Sequence, residues 1–173
     1  SFWTGLRDHG LPFFADPRVR RAIVLSLDRP AFIEAVLGGL ARPAIGTYHP
    51  DSAWADRSLA PWPHDPAEAA RLLDSAGWRL RPDGKRAREG VPFAFTLTVP
   101  AGSQEVTDRI AAWFQQSVRQ VGIDVAIEKL EWRTFLERRR AGRFHAVMAR
   151  LNLSPSPDQF ELYHSSSRGR GMN

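Results

Sequence analysis

Apolar and polar residues alternate between Pro92 and Val99, and this period of two predicts a β-strand. A second alternating stretch, Ile123–Glu128, follows a helical pattern that begins at Ser103 and ends at Val121–Gly122. The predicted inward residues of the first strand are Phe93, Phe95, Leu97 and Val99. The predicted apolar stripe of the helix is Val106, Ile110, Trp113, Phe114, Ser117 and Val121. This order predicts a βαβ unit with a parallel strand pair and a right-handed crossover.

The same rhythm occurs once more downstream, where a helix over Trp132–Ala141 precedes a strand over Phe144–Leu151. Ligands of open α/β sheets bind beyond the carboxyl ends of the strands. We therefore expect functional residues in the loops that follow Val99, Ile127 and Leu151.

The first half of the chain predicts three helices, each of which begins with an aspartate and a nearby proline. Asp16, Asp28 and Asp65 are the predicted N-caps, and Glu68 would complete a capping box with Asp65. The other predicted segments are a strand over 2–6, a loop over 49–63, a polar connector over 85–90, a short helix over 159–164 and a mobile polar tail over 165–173.

Length and composition bound the class of protein. The chain has 173 residues, of which 43% are hydrophobic, enough for one α/β domain or two very small ones. No run approaches the roughly 20 apolar residues of a membrane span. The absence of cysteine excludes disulfides, thiolate catalysis and cysteine-based zinc sites. The opening Ser1-Phe2-Trp3 indicates the interior of a longer sequence, so we expect an excised domain.

The formal net charge of +5 leaves two interpretations open. A basic domain is typical of proteins that bind an anionic partner such as nucleic acid. Alternatively, the arginines are ordinary solvated residues, because acidic residues are interleaved with most of them and no nucleic-acid-binding motif accompanies the charge. A standalone basic α/β domain that binds nucleic acid is therefore kept as the alternative function.

The sequence offers little evidence of catalysis or metal binding. Its histidines lack the spacing of a helical metal pair, and no H-E-x-x-H, phosphate-binding glycine loop or G-x-S-x-G motif occurs. Asp124 and Glu128 share a strand face, but we interpret them as solvated or helix-facing carboxylates, and His145 as a packed sheet histidine. Three tryptophans either line a cleft or cover helices, and we favour packing for most of Trp54, Trp62 and Trp78. We predict no enzymatic activity, no cofactor and no metal.

Several segments together resemble one known family. Pro12–Arg29 contains F-A-D-P-R-V-R-R-A-I and ends in L-D-R, and Asp65–Trp78 reads D-P-A-E-A-A-R-L-L-D-S-A-G-W. Both resemble signatures of the extracytoplasmic solute-binding proteins of family 5, the dipeptide, oligopeptide and nickel receptors of ABC importers. Further similar segments follow in the family's order at Phe32–Gly39 with Ala41–Ala44, Gln116–Glu131 and Phe135–His145.

The resemblance implies a fold, a domain organisation and a function. The fold would be an α/β lobe of the type II periplasmic-binding-protein kind, with an open, mixed, mostly parallel sheet flanked by helices. Residues 1–173 would form one lobe of a larger two-lobed protein. Hinge closure would enclose a small molecule, peptide-like or other, between the lobes for delivery to a membrane permease. The location would be periplasmic or extracytoplasmic, and one lobe alone would bind weakly or not at all.

The main departure from the family pattern lies after the last predicted strand. Peptide-binding members carry G-W-x-x-D there, and the aspartate pairs with the α-ammonium of the peptide. The corresponding residues of this chain are Arg150, Leu151, Asn152, Leu153 and Ser154. Ser154, or Leu153 after a one-residue slip, takes the place of the aspartate, so the resemblance implies that the anchor for a cationic amine is missing.

Arg150 adds a cation that is able to hold a carboxylate or phosphate, unless it is an edge arginine in solvent. We therefore expect a solute other than an ordinary peptide, such as an anionic or polyhydroxylated molecule. Asp158 would replace the missing carboxylate only if the loop over 155–157 curls back. Tyr48 and His49, in the crossover loop, are additional candidates for ligand contact.

Overall fold

The computed structural model describes residues 2–4, 11–102, 105–148, 158–160 and 164–167. The strands are β1 (Phe2–Thr4), β2 (Arg79–Leu80), β3 (Arg86–Arg88), β4 (Val91–Pro92), β5 (Ala94–Pro100), β6 (Asp124–Leu130) and β7 (Ala146–Met148). The helices are α1 (Pro17–Leu25), α2 (Arg29–Leu37), α3 (Pro66–Ser75), α4 (Glu105–Arg119) and α5 (Trp132–Arg140). Short 3₁₀ turns cover Pro12–Ala15 and Ser165–Ser167. Within these residues, no helix is both long and apolar enough to cross a bilayer.

The main sheet has the strand order β1–β7–β5–β6. The central strand β5 pairs in parallel with both β6 and β7, whereas β1 runs antiparallel to β7 at the edge. The predicted parallel βαβ unit, β5–α4–β6, is therefore confirmed. The predicted strand near the amino terminus is also present, as β1.

Burial along β5 follows the predicted alternation. Phe93, Phe95, Leu97 and Val99 are all at most 4% exposed. They face a core that α1, α3 and α4 complete, with Phe14 packed edge-on against Phe95 at 5.0 Å between ring centroids. Thr98, on the opposite face, is buried as well. That face is covered by α5, so the sheet carries helices on both sides.

The three predicted helix starts are confirmed by their capping bonds. The Asp16, Asp28 and Asp65 carboxylates accept backbone N–H bonds from the second or third residue after them, at 2.8, 3.0 and 2.8 Å. The predicted capping box is only half formed. The Asp65 N–H donates instead to the Leu25 carbonyl at 2.9 Å, which ties α3 to the end of α1.

The prediction of a polar connector over 85–90 is wrong. This segment contains β3, the middle strand of a small antiparallel sheet ordered β2–β3–β4. Its first residue, Arg86, is 3% exposed, because its guanidinium donates to the carbonyls of Val121 and Trp78 and pairs with Asp74 at 2.7 Å. An arginine whose donors are satisfied can be buried, and nothing in its local sequence predicts those distant partners.

Several element boundaries also differ from the prediction. Val91–Pro92 belongs to the small sheet, so the main strand begins at Ala94 rather than at Pro92. Helix α4 ends at Arg119, and the predicted stop glycine, Gly122, has φ +84°. A side chain there would be strained, and its Cβ would lie 2.9 Å from the Arg86 Cγ.

Candidate functional site

The parallel strands β5, β6 and β7 end at the same edge of the main sheet, at Pro100, Leu130 and Met148. The loop after β5 is joined to the end of β6, because the Ala101 N–H donates to the Leu130 carbonyl at 2.6 Å. Helix α5 then begins directly at this edge, with Glu131 as its N-cap. Two of the three loops expected to carry function therefore meet here, as strand polarity requires.

The third loop was expected after Leu151. Its predicted ligand residues Arg150, Leu151, Asn152, Leu153 and Ser154 lie outside the described residues, so their role stays a prediction. Beyond them, the Asp158 carboxylate accepts the Phe160 N–H at 2.8 Å. This bond closes a local turn at Asp158, the residue considered as a replacement for the missing aspartate.

The structure places Tyr48 in an open pocket of about 320 Å³ in the segment between α2 and α3. Its walls are mostly apolar and come from two short stretches of this segment. They are Ile45, Gly46, Thr47, Tyr48, Trp54, Ala55, Asp56 and Leu59. Tyr48 is half-buried and Trp54 is 60% exposed. The pocket is thus a shallow aromatic site that one segment of the chain forms by itself.

His49, the neighbour of Tyr48, does not line this pocket. Its Nδ1 accepts the Asp51 N–H at 3.2 Å, and the Asp51 carboxylate in turn pairs with both terminal nitrogens of Arg42, at 2.6 and 3.2 Å. Hydrogen bonds from Arg42 lower the pKa of Asp51. The structure therefore separates the two candidates: Tyr48 faces a pocket, and His49 closes the turn beside it.

The two strand carboxylates do not form a catalytic pair. The Asp124 carboxylate is bonded to the Lys85 ammonium at 2.6 Å. The Glu128 carboxylate accepts from the Thr98 hydroxyl at 3.1 Å and from the Arg138 guanidinium of α5 at 3.0 Å. Each carboxylate has its own cation, which agrees with the interpretation of the two as solvated or helix-facing carboxylates.

The predicted packed histidine is confirmed as well. The half-buried His145 stands just before β7, and its Nδ1 accepts the Thr96 N–H at 3.2 Å, which extends the contact between β7 and β5. Across the described ranges, no three histidine, aspartate or glutamate residues are grouped so that they could hold a metal ion.

The tryptophans divide between the two roles considered from sequence. Trp78 is 2% exposed and packs against Phe93 at 4.5 Å between ring centroids, which confirms packing for this residue. Trp54 lines the pocket, and Trp62 lies on the surface under the Arg21 guanidinium at 5.0 Å.

Asp56, the charged residue of the pocket, was missed by sequence reasoning. The only available signal was the D-x-S pattern of Asp56 and Ser58, which is typical of a local turn and does not indicate a binding site.

A family profile matches nearly the whole chain. The profile described as "Bacterial extracellular solute-binding proteins, family 5 Middle" matches residues 6–173. The chain belongs to this family. The resemblance read from Pro12–Arg29 and Asp65–Trp78 is therefore confirmed, and the matches give no support to the nucleic-acid alternative.

Several curated relatives of this family 5 chain are named as binding proteins. The chain is 35% identical over 160 residues to Protein XP55 of Streptomyces lividans, covering 91% of this chain and 29% of that protein. It is 31% identical over 168 residues to the oligopeptide-binding protein AppA of Bacillus subtilis, covering 92% and 30%. Other matched family members are named as di/tripeptide-binding and glutathione-binding proteins rather than as enzymes.

Solved structures show the same fold. AppA of Bacillus subtilis, in complex with a nonapeptide, superimposes with a TM-score of 0.87 at 28% identity, over 99% of this chain and 35% of that one. NikA of Brucella suis, in complex with Fe(III)-EDTA, gives 0.81 at 32% identity, over 95% and 32%. The expected type II periplasmic-binding-protein-like fold is confirmed. The chain spans about a third of the length of these relatives.

Proposed function

We propose that this chain is one lobe, residues 1–173, of a two-lobed receptor that captures a small molecule for an ABC importer. The observation that carries the proposal is the family match over residues 6–173 together with coverage of only about a third of each relative. Most of such a receptor would therefore lie in sequence outside this chain. Its partners would be the second lobe, the solute and a membrane permease, and its location would be periplasmic or extracytoplasmic.

The edge where β5, β6 and β7 end supports this function physically. A binding face on one lobe leaves its ligand half in water, whereas a second lobe that closes over it removes the remaining contact with solvent. Hinge closure thus couples binding to a change of shape, and a permease can recognise the closed shape. One lobe offers only part of the contacts, so its own affinity for the transported solute would be weak.

For the solute, we propose a small molecule other than an ordinary peptide that carries a net negative charge and is held by Arg150, which follows β7 in the sequence. Leu151, Asn152, Leu153 and Ser154 would complete that site, and Tyr48 and His49 are further candidates. Among the relatives, one is named for glutathione and one structure holds Fe(III)-EDTA, both of which are anionic at neutral pH. A guanidinium recognises such groups through two parallel hydrogen bonds.

A ligand-dependent thermal-shift screen of the full-length parent protein tests both statements. The panel contains mixed di- to nonapeptides, glutathione, Fe(III)-EDTA and neutral sugars. We expect an anionic solute to raise Tm, and Arg150→Met to abolish that rise. The matched control is Arg140→Met, which removes an exposed arginine at the end of α5 and should leave the rise intact.

The outcomes separate the two parts of the proposal. Tight binding of ordinary peptides would refute the anionic solute and leave the receptor intact. A parent protein without a second lobe would refute the receptor itself. Strong, salt-dependent DNA binding by this domain would favour the nucleic-acid alternative.

A further inference from the structure

The Tyr48 pocket combines apolar walls and two aromatic rings with a single carboxylate. Tyr48 and Trp54 contribute the rings, Ile45 and Leu59 contribute aliphatic wall, and Asp56 contributes the charge. Apolar walls alone would accept any hydrophobic group. The carboxylate changes this, because it attracts a cation and repels an anion.

The Asp56 carboxylate is ionised and has one oxygen to offer. Its Oδ1 accepts the Ser58 N–H at 2.9 Å and the Ser58 hydroxyl at 2.6 Å. These hydrogen bonds lower the pKa of Asp56, so the negative charge is present at neutral pH. Within the described ranges, Oδ2 has no hydrogen-bond partner. The pocket therefore holds a fixed negative charge whose second oxygen is available to a donor.

The wall that carries Trp54 and Asp56 is built from consecutive turns. The Ser52 N–H donates to the His49 carbonyl at 2.9 Å, and the Ala55 N–H donates to the Ser52 carbonyl at 3.1 Å. The Trp54 N–H also donates to the Ser52 hydroxyl at 3.2 Å. These bonds fix the backbone that carries Trp54 and Asp56 before any ligand arrives, which lowers the entropic cost of binding.

We propose that this pocket binds an organic ammonium group that carries an apolar body. The ammonium would lie between the Asp56 carboxylate and the faces of Tyr48 and Trp54, where both the charge and the ring quadrupoles attract a cation. The apolar body would cover Ile45 and Leu59. Such a site would recognise an amine without using any of residues 150–154.

The inference concerns this chain alone and does not rest on the proposed function. Failure of the ammonium site would leave the receptor proposal standing, because that proposal rests on the family match.

The test is an NMR titration of the ¹⁵N-labelled full-length parent protein with three isosteric probes at millimolar concentration. These are 2-phenylethylammonium, the neutral 2-phenylethanol and the anionic phenylacetate. We expect shifts at the backbone and indole signals of Trp54, with the ammonium binding about tenfold more tightly than the alcohol and the anion not binding. Equal affinity for amine and alcohol, or no shift with the amine at tens of millimolar, would overturn the proposal.

Matched variants assign the selectivity to Asp56. Asp56→Asn keeps an oxygen for the Ser58 bonds and removes only the charge, so it should reduce amine affinity about two- to fivefold and leave alcohol affinity unchanged. Glu89→Gln removes one charge from an exposed residue outside the pocket and should change neither. Unchanged amine binding in Asp56→Asn, with the spectrum of the rest of the chain preserved, would contradict the site. An equal loss in Glu89→Gln would reduce the effect to general electrostatics.

A second pair tests the ring. Trp54→Leu should weaken amine binding severalfold, whereas Trp132→Leu, which removes an equally exposed tryptophan from α5, should not. If both variants bind as the original chain does, the aromatic part of the proposal is wrong.

Discussion

The β5–α4–β6 block and the segment between α2 and α3 (residues 38–65) are built in opposite ways. In the block, side chains such as Leu97 and Val118 are fully buried. In the segment, Leu40, Trp54, Leu59 and Trp62 are 49–93% exposed, and the chain is held by turns and surface ion pairs. The block therefore contributes most of the stability, whereas the segment carries exposed aromatic side chains. Binding surfaces on loops supported by a rigid scaffold follow this division.

The two regions should differ most in stability when the same side chain is removed from each. Leu97→Ala should cost about 3–4 kcal/mol of unfolding free energy, because it leaves a cavity under a sheet covered on both faces. Leu59→Ala should cost less than about 0.5 kcal/mol, since that side chain is 49% exposed. Urea unfolding followed by circular dichroism measures both. Similar losses would show that the segment contributes to the core after all.

Arginine provides the next contrast. Arg86→Met should cost about 2–3 kcal/mol, because the buried carbonyls of Val121 and Trp78 lose their donors. Arg42→Met breaks a fully exposed pair with Asp51 and should leave the urea midpoint unchanged. A neutral effect of Arg86→Met would mean that water replaces the guanidinium at both carbonyls.

Two glycines give a smaller contrast. Gly122→Ala should cost about 1–2 kcal/mol, because φ is +84° and the new Cβ would lie 2.9 Å from both the Arg86 Cγ and the Leu80 Cδ1. Gly46→Ala has open space and should be within about 0.5 kcal/mol of the original chain. Thermal unfolding of the two variants is sufficient. Equal Tm values would show that the region around Gly122 relaxes freely.

The smallest expected effect is a pH dependence at the start of α1. The hydrogen bond from Arg18 is the main cause that holds the pKa of the Asp16 carboxyl below its ordinary value of 3.8. A lowered folded-state pKa stabilises the protein above the unfolded value, and this contribution is lost as pH falls through the folded pKa. Asp16→Asn keeps a capping oxygen and removes the charge. It should be slightly destabilising at pH 7 and neutral in acid below that pKa, in urea titrations at both pH values. The same difference at both would contradict a charge effect.

Local patterns predicted most of the block and little of the candidate site. Alternation around Leu97, the caps at Asp16 and Asp65 and the family signatures each depend on neighbours in sequence, so they were readable. The burial of Arg86 and the role of Asp56 could not be predicted from neighbours in sequence. The burial of Arg86 depends on carbonyls up to 35 residues away, and the role of Asp56 depends on a pocket that only the folded segment creates. Sequence identifies the residues of a turn but does not show which surface the turn encloses.

The central claim is that this chain is one lobe of a receptor that closes over its solute. Small-angle X-ray scattering of the full-length parent protein, without solute and with the solute that gives the largest thermal shift, tests it most directly. We expect two lobes and a smaller radius of gyration when the solute is bound. A parent with no second lobe, or a bound solute that leaves the radius of gyration unchanged, would contradict it.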